Sequence, residues 1–141
     1  MRVLALDVGD RRIGVAVSDA LGLTAQPLTI VERRSDAADL DAIAALATRY
    51  GVSLIVVGLP LTMRGTRGPQ ADKVERFAAS LRRRALSVQL VDERLTTVQG
   101  TRVLRELGRS ARSQKRAIDQ VAAQLILQHY LETQRKNQPA S

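Results

Sequence analysis

The sequence predicts one α/β domain: a mixed five-stranded sheet, three antiparallel strands followed by two parallel ones, flanked by helices. Three observations predict it. The chain opens with β-branched and aliphatic runs broken by glycine. From residue 35 onward, helical stripes alternate with apolar runs too short to be helices. The 141 residues contain no internal repeat and no linker long enough for a second domain. Residues 1–136 are therefore assigned to a single domain, and residues 137–141 to a disordered tail.

Residues 2–8 and 12–18 read as two strands joined by the tight turn Gly9-Asp10-Arg11. Residues 26–31 follow as a third strand, with Pro27 favouring its beginning or an exposed edge because proline cannot donate to a ladder. Ser35 or Asp36 can cap a helix running to Tyr50. Its stripe is Leu40, Ile43, Leu46, Ala47 and Tyr50, its acids gather in the first turn, and Gly51 is the stop. Leu54-Ile55-Val56-Val57 is continuous apolar sequence, as expected of a strand covered on both faces, and it runs into Gly58-Leu59-Pro60.

Residues 61–69 carry glycines and arginines without periodicity and read as an exposed loop. A helix over 70–84 has the inner stripe Val74, Phe77, Ala78 and Leu81. The short strand 88–91 is reached through that helix, so it should lie parallel to its predecessor in a right-handed crossover. Thr97 can cap a helix ending near Leu107-Gly108, although Gly100 weakens it by ~1 kcal/mol. Residues 109–116 read as a basic connector, and a last helix over 117–131 turns Ile118, Val121, Ala122, Leu125 and Ile126 inward.

Composition narrows the function. Twenty-two Lys and Arg against fourteen Asp and Glu give a formal charge of +8, which suits a polyanion such as nucleic acid. Tyr50, Phe77 and Tyr130 are the whole aromatic set, too few for a reader of single strands by base stacking, so contact through the phosphate backbone is expected. With no cysteine, disulfides, zinc-thiolate sites and cysteine nucleophiles are excluded. An acid at position 7 comes too early for a signal peptide, and no apolar run reaches the ~18–20 residues of a membrane span. The expectation is a cytoplasmic protein without a membrane partner, monomer or homodimer.

Most acids here stand where a solvated helix face puts them. Asp7, Glu93 and Asp119 are different, because each is embedded in apolar sequence. Burying lone carboxylates is costly, and the cost falls if they share a cation. An all-oxygen set favours hard ions such as Mg²⁺ or Mn²⁺. Two such ions ~3.5–4 Å apart can activate water and stabilise the leaving oxygen of an in-line displacement at phosphorus. Asp92 and Glu93 face opposite sides of a strand, so one of them reaches the ions, and the longer Glu93 is chosen. Asp92 is left to orient backbone or Arg94. The competing structural reading has Asp7 and Asp119 as caps of a turn and a helix, and Glu93 paired with an arginine.

Cationic groups adjoin these acids. Arg11 and Arg12 follow Asp7, Arg64 and Arg67 lie in the loop, Arg94 follows Glu93, and Arg109, Arg112, Lys115 and Arg116 precede Asp119; all are assigned to phosphate binding. His129, ten residues beyond Asp119, falls near the far end of the same helix and is set aside. Ser18 and Thr96 have no histidine or lysine partner in view and are given turn and cap roles rather than nucleophilic ones.

Four ordered motifs resemble the YqgF/RuvX family. They are Ala5-Leu6-Asp7-Val8-Gly9 with residues 12–19, Gly58-Leu59-Pro60-Leu61 with Gly68-Pro69-Gln70-Ala71, Asp92-Glu93-Arg94-Leu95-Thr96-Thr97, and Ile118-Asp119 with Ala122-Ala123. The resemblance spans nearly the whole chain. It implies a ribonuclease H-like fold, divalent-metal nuclease activity resembling that of Holliday junction resolvases, and a role in maturing the 5′ end of precursor 16S rRNA. It also implies Asp7, Glu93 and Asp119 as the catalytic acids. The fourth strand ends in Gly58-Leu59-Pro60 where better-known relatives of the fold carry an acid, so the second acid is expected from the next strand. Residues 97–101 also depart from the family pattern, in a helix rather than in the chemistry.

Three other functions compete with this one. A branched-DNA nuclease of repair or recombination shares the chemistry. A basic, non-catalytic ribosome-assembly factor shares the charge. An ATPase of the actin type shares Asp7-Val8-Gly9 before a hairpin, but it needs a second domain for which 141 residues leave no room.

Overall fold

A computed structural model describes residues 2–61, 68–92 and 112–137, with the backbone alone for 112–120 and 136–137. The chain runs β1 (Arg2–Val8), β2 (Arg12–Ser18), β3 (Ala25–Glu32), α1 (Asp36–Arg49), β4 (Val52–Leu59), α2 (Pro69–Arg83), β5 (Val88–Asp92) and α3 (Arg112–Asn137). The five strands form one sheet in the order β3-β2-β1-β4-β5. β1, β2 and β3 pair antiparallel, whereas β4 runs parallel to β1 and β5 parallel to β4. The mixed sheet predicted from sequence is therefore present. The helix expected between Thr97 and Gly108 lies outside the described residues, as do residues 62–67 of the expected loop and 138–141 of the expected tail.

Local chemistry explains the boundaries. The Gly9 N–H donates to the Arg12 carbonyl at 2.9 Å, closing the first turn, and a Cβ on Gly9 would meet that same oxygen at 2.9 Å. Only glycine fits there. Pro27 sits on β3, an edge strand, at the point where the β2–β3 register slips, between Val15↔Thr29 and Ala16↔Pro27. Ser35, not Asp36, is the N-cap of α1; its side chain accepts from the Ala38 N–H. After the C-cap Tyr50, Gly51 takes φ +61°, the left-handed stop that its position suggested.

The two faces of the sheet bury different kinds of residue. Leu4, Leu6 and Val8 of β1 join Ile13, Val15, Ile55 and Val57 under α1 and α2, which contribute Leu40, Ile43, Val74, Phe77 and Leu81. Val3 and Ala5 point the other way and join Ala16, Val56 and Val91 under α3, which contributes Ala122, Ala123, Ile126 and Leu127. α3 crosses β1, β2, β3 and β4 on this side.

α3 corrects two expectations. It begins by Arg112, so residues 112–116 are helical rather than a connector, and it extends past Leu131 to Asn137. Its buried stripe is also turned: Val121 is 43% exposed, while Ala123 and Leu127 are buried. Small residues decide the rotation, because Ala122 and Ala123 let the helix approach Ala5 and Ala16, whereas the β-branched Val121 at that contact would hold it off. Among the described residues no helix is long and apolar enough to cross a membrane.

Candidate active site

Asp7 is the sixth of the seven residues of β1, the central strand, and its residue is 1% exposed. Alternation along β1 sets it on the face of Val3 and Ala5, beneath α3. Its register partner on β2 is Gly14. On the other side the β1–β4 ladder reaches Leu6↔Val57, so the next residue of β4, Gly58, flanks Asp7. Both glycines are buried, and both share the Asp7 face by alternation with Ala16 and Val56. The carboxylate thus stands between two strand positions that carry no side chain, at the end of the parallel strands where ligands of α/β sheets gather.

The backbone leaving Asp7 is gripped from the opposite side. Gln70, in the first turn of α2, donates from Nε2 to the Val8 carbonyl at 3.1 Å. The Arg33 Nη1 donates to the Gly9 carbonyl at 3.0 Å, and the Arg33 backbone N–H donates to the Arg11 carbonyl at 2.9 Å. The same guanidinium donates from Nε to Asp39 at 3.0 Å and from Nη2 to Asp36 at 3.3 Å, and it lies 5.3 Å from the Phe77 ring centroid. Asp39 is only 2% exposed, and its other oxygen accepts from the Arg34 N–H. One arginine therefore ties the β1–β2 turn to both helices of that face. Lys73 and Asp10 form an outer ion pair at 3.3 Å, more than half exposed on each side.

The sequence-predicted site residues divide into three groups. Asp7, Arg11 and Arg12 are described: Arg11 is exposed on the turn and Arg12 is half-buried at the start of β2. Asp119, Arg112, Lys115 and Arg116 lie on the first turns of α3, with the backbone alone described. Glu93, Arg94, Arg64, Arg67 and Arg109 lie outside the described residues. Among the described residues no group of three acids or histidines is gathered for a metal. Asp92 ends β5, two residues beyond Leu90, which packs on the α1/α2 face, so alternation assigns Asp92 to the face opposite Asp7. Ser18 is at the far end of β2 from this site. Its Oγ accepts from the Val3 N–H at 2.8 Å and donates to the Asp19 carbonyl, a structural role.

Sequence reasoning missed Arg33, Asp39 and Gln70. The Arg33 contact that reaches the site spans 24 residues to Gly9, so no local pattern pointed to it. For Gln70 there was one: Gly68-Pro69-Gln70-Ala71 stood out as a motif, and each member now has a task. Gly68 is the N-cap, Pro69 is in the first turn, Ala71 is fully buried, and Gln70 reaches β1.

The family model described as "RuvX: Holliday junction resolvase" matches residues 1–133. A relative from Moorella thermoacetica is 54% identical over 133 residues, 94% of this chain and 95% of that one, and is named "Putative pre-16S rRNA nuclease". A relative of the same name from Chloroflexus aurantiacus is 53% identical over 137 residues, 96% of this chain and 89% of that one. Among solved structures, Thermus thermophilus RuvC in complex with a Holliday junction substrate superposes with TM-score 0.60 at 13% identity, covering 97% of both chains. RuvC of the same organism in a second structure gives TM-score 0.52 at 14% identity, covering 96% of this chain and 97% of that one. These superpositions establish the ribonuclease H-like fold of the RuvC resolvases. Matched along almost its whole length by the family model and by relatives of about half-identical sequence, the chain belongs to the RuvX family of Holliday-junction-resolvase-like proteins.

Proposed function

We propose that this RuvX-family chain is a divalent-metal-dependent nuclease that hydrolyses phosphodiester bonds of structured nucleic acid, in the maturation of the 5′ end of precursor 16S rRNA. Asp7, Glu93 and Asp119 are its acids. The observation that carries the reading is the buried Asp7 carboxylate between Gly14 and Gly58 on the α3 face of the sheet. The substrate is taken from the names of the relatives, and the chemistry from the site.

Alternation supports the convergence of the other two acids. Val91 of β5 is buried on the α3 face, and Glu93 stands two residues after it in the sequence, the spacing that returns a strand to the same face. Asp119 precedes Ala122 and Ala123 by three and four residues, the helical spacing of the stripe that covers Ala5 and Ala16. Both sequence spacings support the reading that these acids serve the same face as Asp7.

The donor set fits Mg²⁺ or Mn²⁺, since it is all oxygen and the glycines beside Asp7 contribute no Cβ to crowd a hydrated ion. Such a pair of ions, when bound, lowers the pKa of a water and stabilises charge on the leaving oxygen. The chain's own contribution is positional. Asp7 is fixed on the most central strand, its turn is closed by Gly9 and Arg33, and Arg11 and Arg12 offer charge-assisted donors to phosphate beside it. Arg64, Arg67, Arg94, Arg109, Arg112, Lys115 and Arg116 are the further cations this reading assigns to the substrate's phosphates.

The test is cleavage of precursor 16S rRNA with Mn²⁺ or Mg²⁺ by the intact chain and by Asp7→Asn. The reading expects the variant to bind RNA and not to cut it; equal cutting by both proteins removes the enzyme. The family description keeps a second reading, a nuclease of four-way DNA junctions, and the same assay on a junction separates the two.

A further inference from the structure

We infer that Gln70 is a positioning residue for the nuclease reaction: its side-chain amide holds the strand end that presents Asp7. The inference rests on the proposed role of Asp7. Its basis is the 3.1 Å bond from Gln70 Nε2 to the Val8 carbonyl, between residues 62 positions apart.

The ladder explains why the bond is placed there. β1 pairs with β4 from Arg2 to Leu6, and beyond Leu6↔Val57 β4 runs out into Leu59 and Pro60. On the β2 side the pairing continues through Val8↔Ile13. The paired register of β1 with β4 thus ends at Leu6↔Val57, and two residues further on Gln70 supplies a donor to the Val8 carbonyl. A fixed Val8 carbonyl fixes the Val8–Gly9 peptide plane, one residue beyond Asp7, and with the Gly9 carbonyl held by Arg33 two consecutive oxygens are clamped. Gln70 is itself set by α2, where Pro69 occupies the first turn and the fully buried Ala71 anchors the helix on the core. The amide approaches from α2, whereas Asp7 faces α3, so Gln70 acts through the backbone and not on the substrate.

The experiment measures Mn²⁺ binding by calorimetry in the absence of nucleic acid, together with kcat and KM for RNA cleavage. It uses wild type, Asp7→Asn, Gln70→Ala, Gln70→Glu and Lys73→Ala. Gln70→Glu keeps the side chain's size and removes the donor. Both Gln70 variants should bind Mn²⁺ about threefold to tenfold more weakly and lose roughly tenfold in kcat, because misplacement of a reacting group by a fraction of an ångström has effects of that order. Their KM for RNA and thermal midpoints should match wild type. Lys73→Ala breaks only an exposed pair on the same helix and should bind and cut as wild type does.

Wild-type metal binding and kcat in Gln70→Glu overturn the inference. A loss that follows a fallen thermal midpoint also overturns it, because it marks a merely structural contact. Wild type that fails to bind Mn²⁺, or binds it no better than Asp7→Asn, refutes the role of Asp7 itself, and the inference with it.

Discussion

The two faces of the same sheet are built for different ends. Along β1, Leu4, Leu6 and Val8 enter a core of large side chains under α1 and α2, whereas Val3, Ala5 and Asp7 enter a surface of small ones under α3. The large face holds the fold and, through Arg33 and Gln70, clamps the backbone just beyond Asp7. The small face brings α3 close and surrounds a buried acid with glycine. On the proposed function, one strand divides its labour: successive residues alternate between stability and chemistry, and substitutions on the two faces should separate the two properties.

The largest expected effect is on the small face. Asp7→Asn should lower cleavage by at least ~100-fold, the scale at which a single group that stabilises the transition state contributes, with folding retained in circular dichroism. On the large face Leu6→Ala should do the reverse. It should cost about 2–5 kcal/mol of stability in urea unfolding, as buried leucines do, and leave kcat of the folded fraction within a few-fold. If Leu6→Ala abolishes cutting in folded protein, or Asp7→Asn unfolds it, the faces are not separable in this way.

Arg33→Ala tests the clamp that joins them. It strands the 2%-exposed Asp39 without its guanidinium, and removal of one partner from such a pair costs on the order of 3 kcal/mol. Because the same side chain holds the Gly9 carbonyl, a loss of kcat should accompany the loss of stability. Asp39→Asn should keep the Gly9 contact, so it should lower the unfolding midpoint while preserving more activity than Arg33→Ala.

Nucleic-acid binding and acid stability give smaller effects. Affinity carried by backbone phosphates falls linearly in log–log plots against salt, and Arg11→Ala should reduce that slope by about one contact in a filter-binding series. Asp19, at the other end of β2, accepts from the Leu23 and Thr24 N–H groups, and chiefly the Leu23 bond holds its carboxyl below the ordinary value. A lowered folded pKa gives stability that is present above the ordinary carboxylate value and lost as pH falls through the lowered one. Asp19→Ala should therefore differ slightly from wild type in thermal midpoint at pH 7 and converge with it in acid.

The fold was legible where side-chain period and turn chemistry agree. The clearest cases are Gly9, Ser35, Gly51 and Pro27, which mark a turn, a cap, a stop and an edge in sequence and in space. The orientation of α3 was not legible from hydrophobicity, because Val121 outranks Ala123 on any apolar scale while close helix–sheet contact selects the smaller residue. In the site, Asp7 was legible as an acid inside an apolar strand. Gly14 and Gly58 were not recognised as its neighbours, since register between strands so far apart in sequence is a tertiary property. Arg33 and Asp39 looked like an ordinary loop cation and a first-turn acid, and only folding makes them a clamp.

The central claim is that three carboxylates meet on the α3 face. Anomalous diffraction from crystals soaked in Mn²⁺ tests it most directly. The account predicts manganese on the Asp7 carboxylate with oxygens of Glu93 and Asp119 completing the same site. Manganese bound away from Asp7, or Glu93 and Asp119 on the opposite side of the sheet, contradicts it.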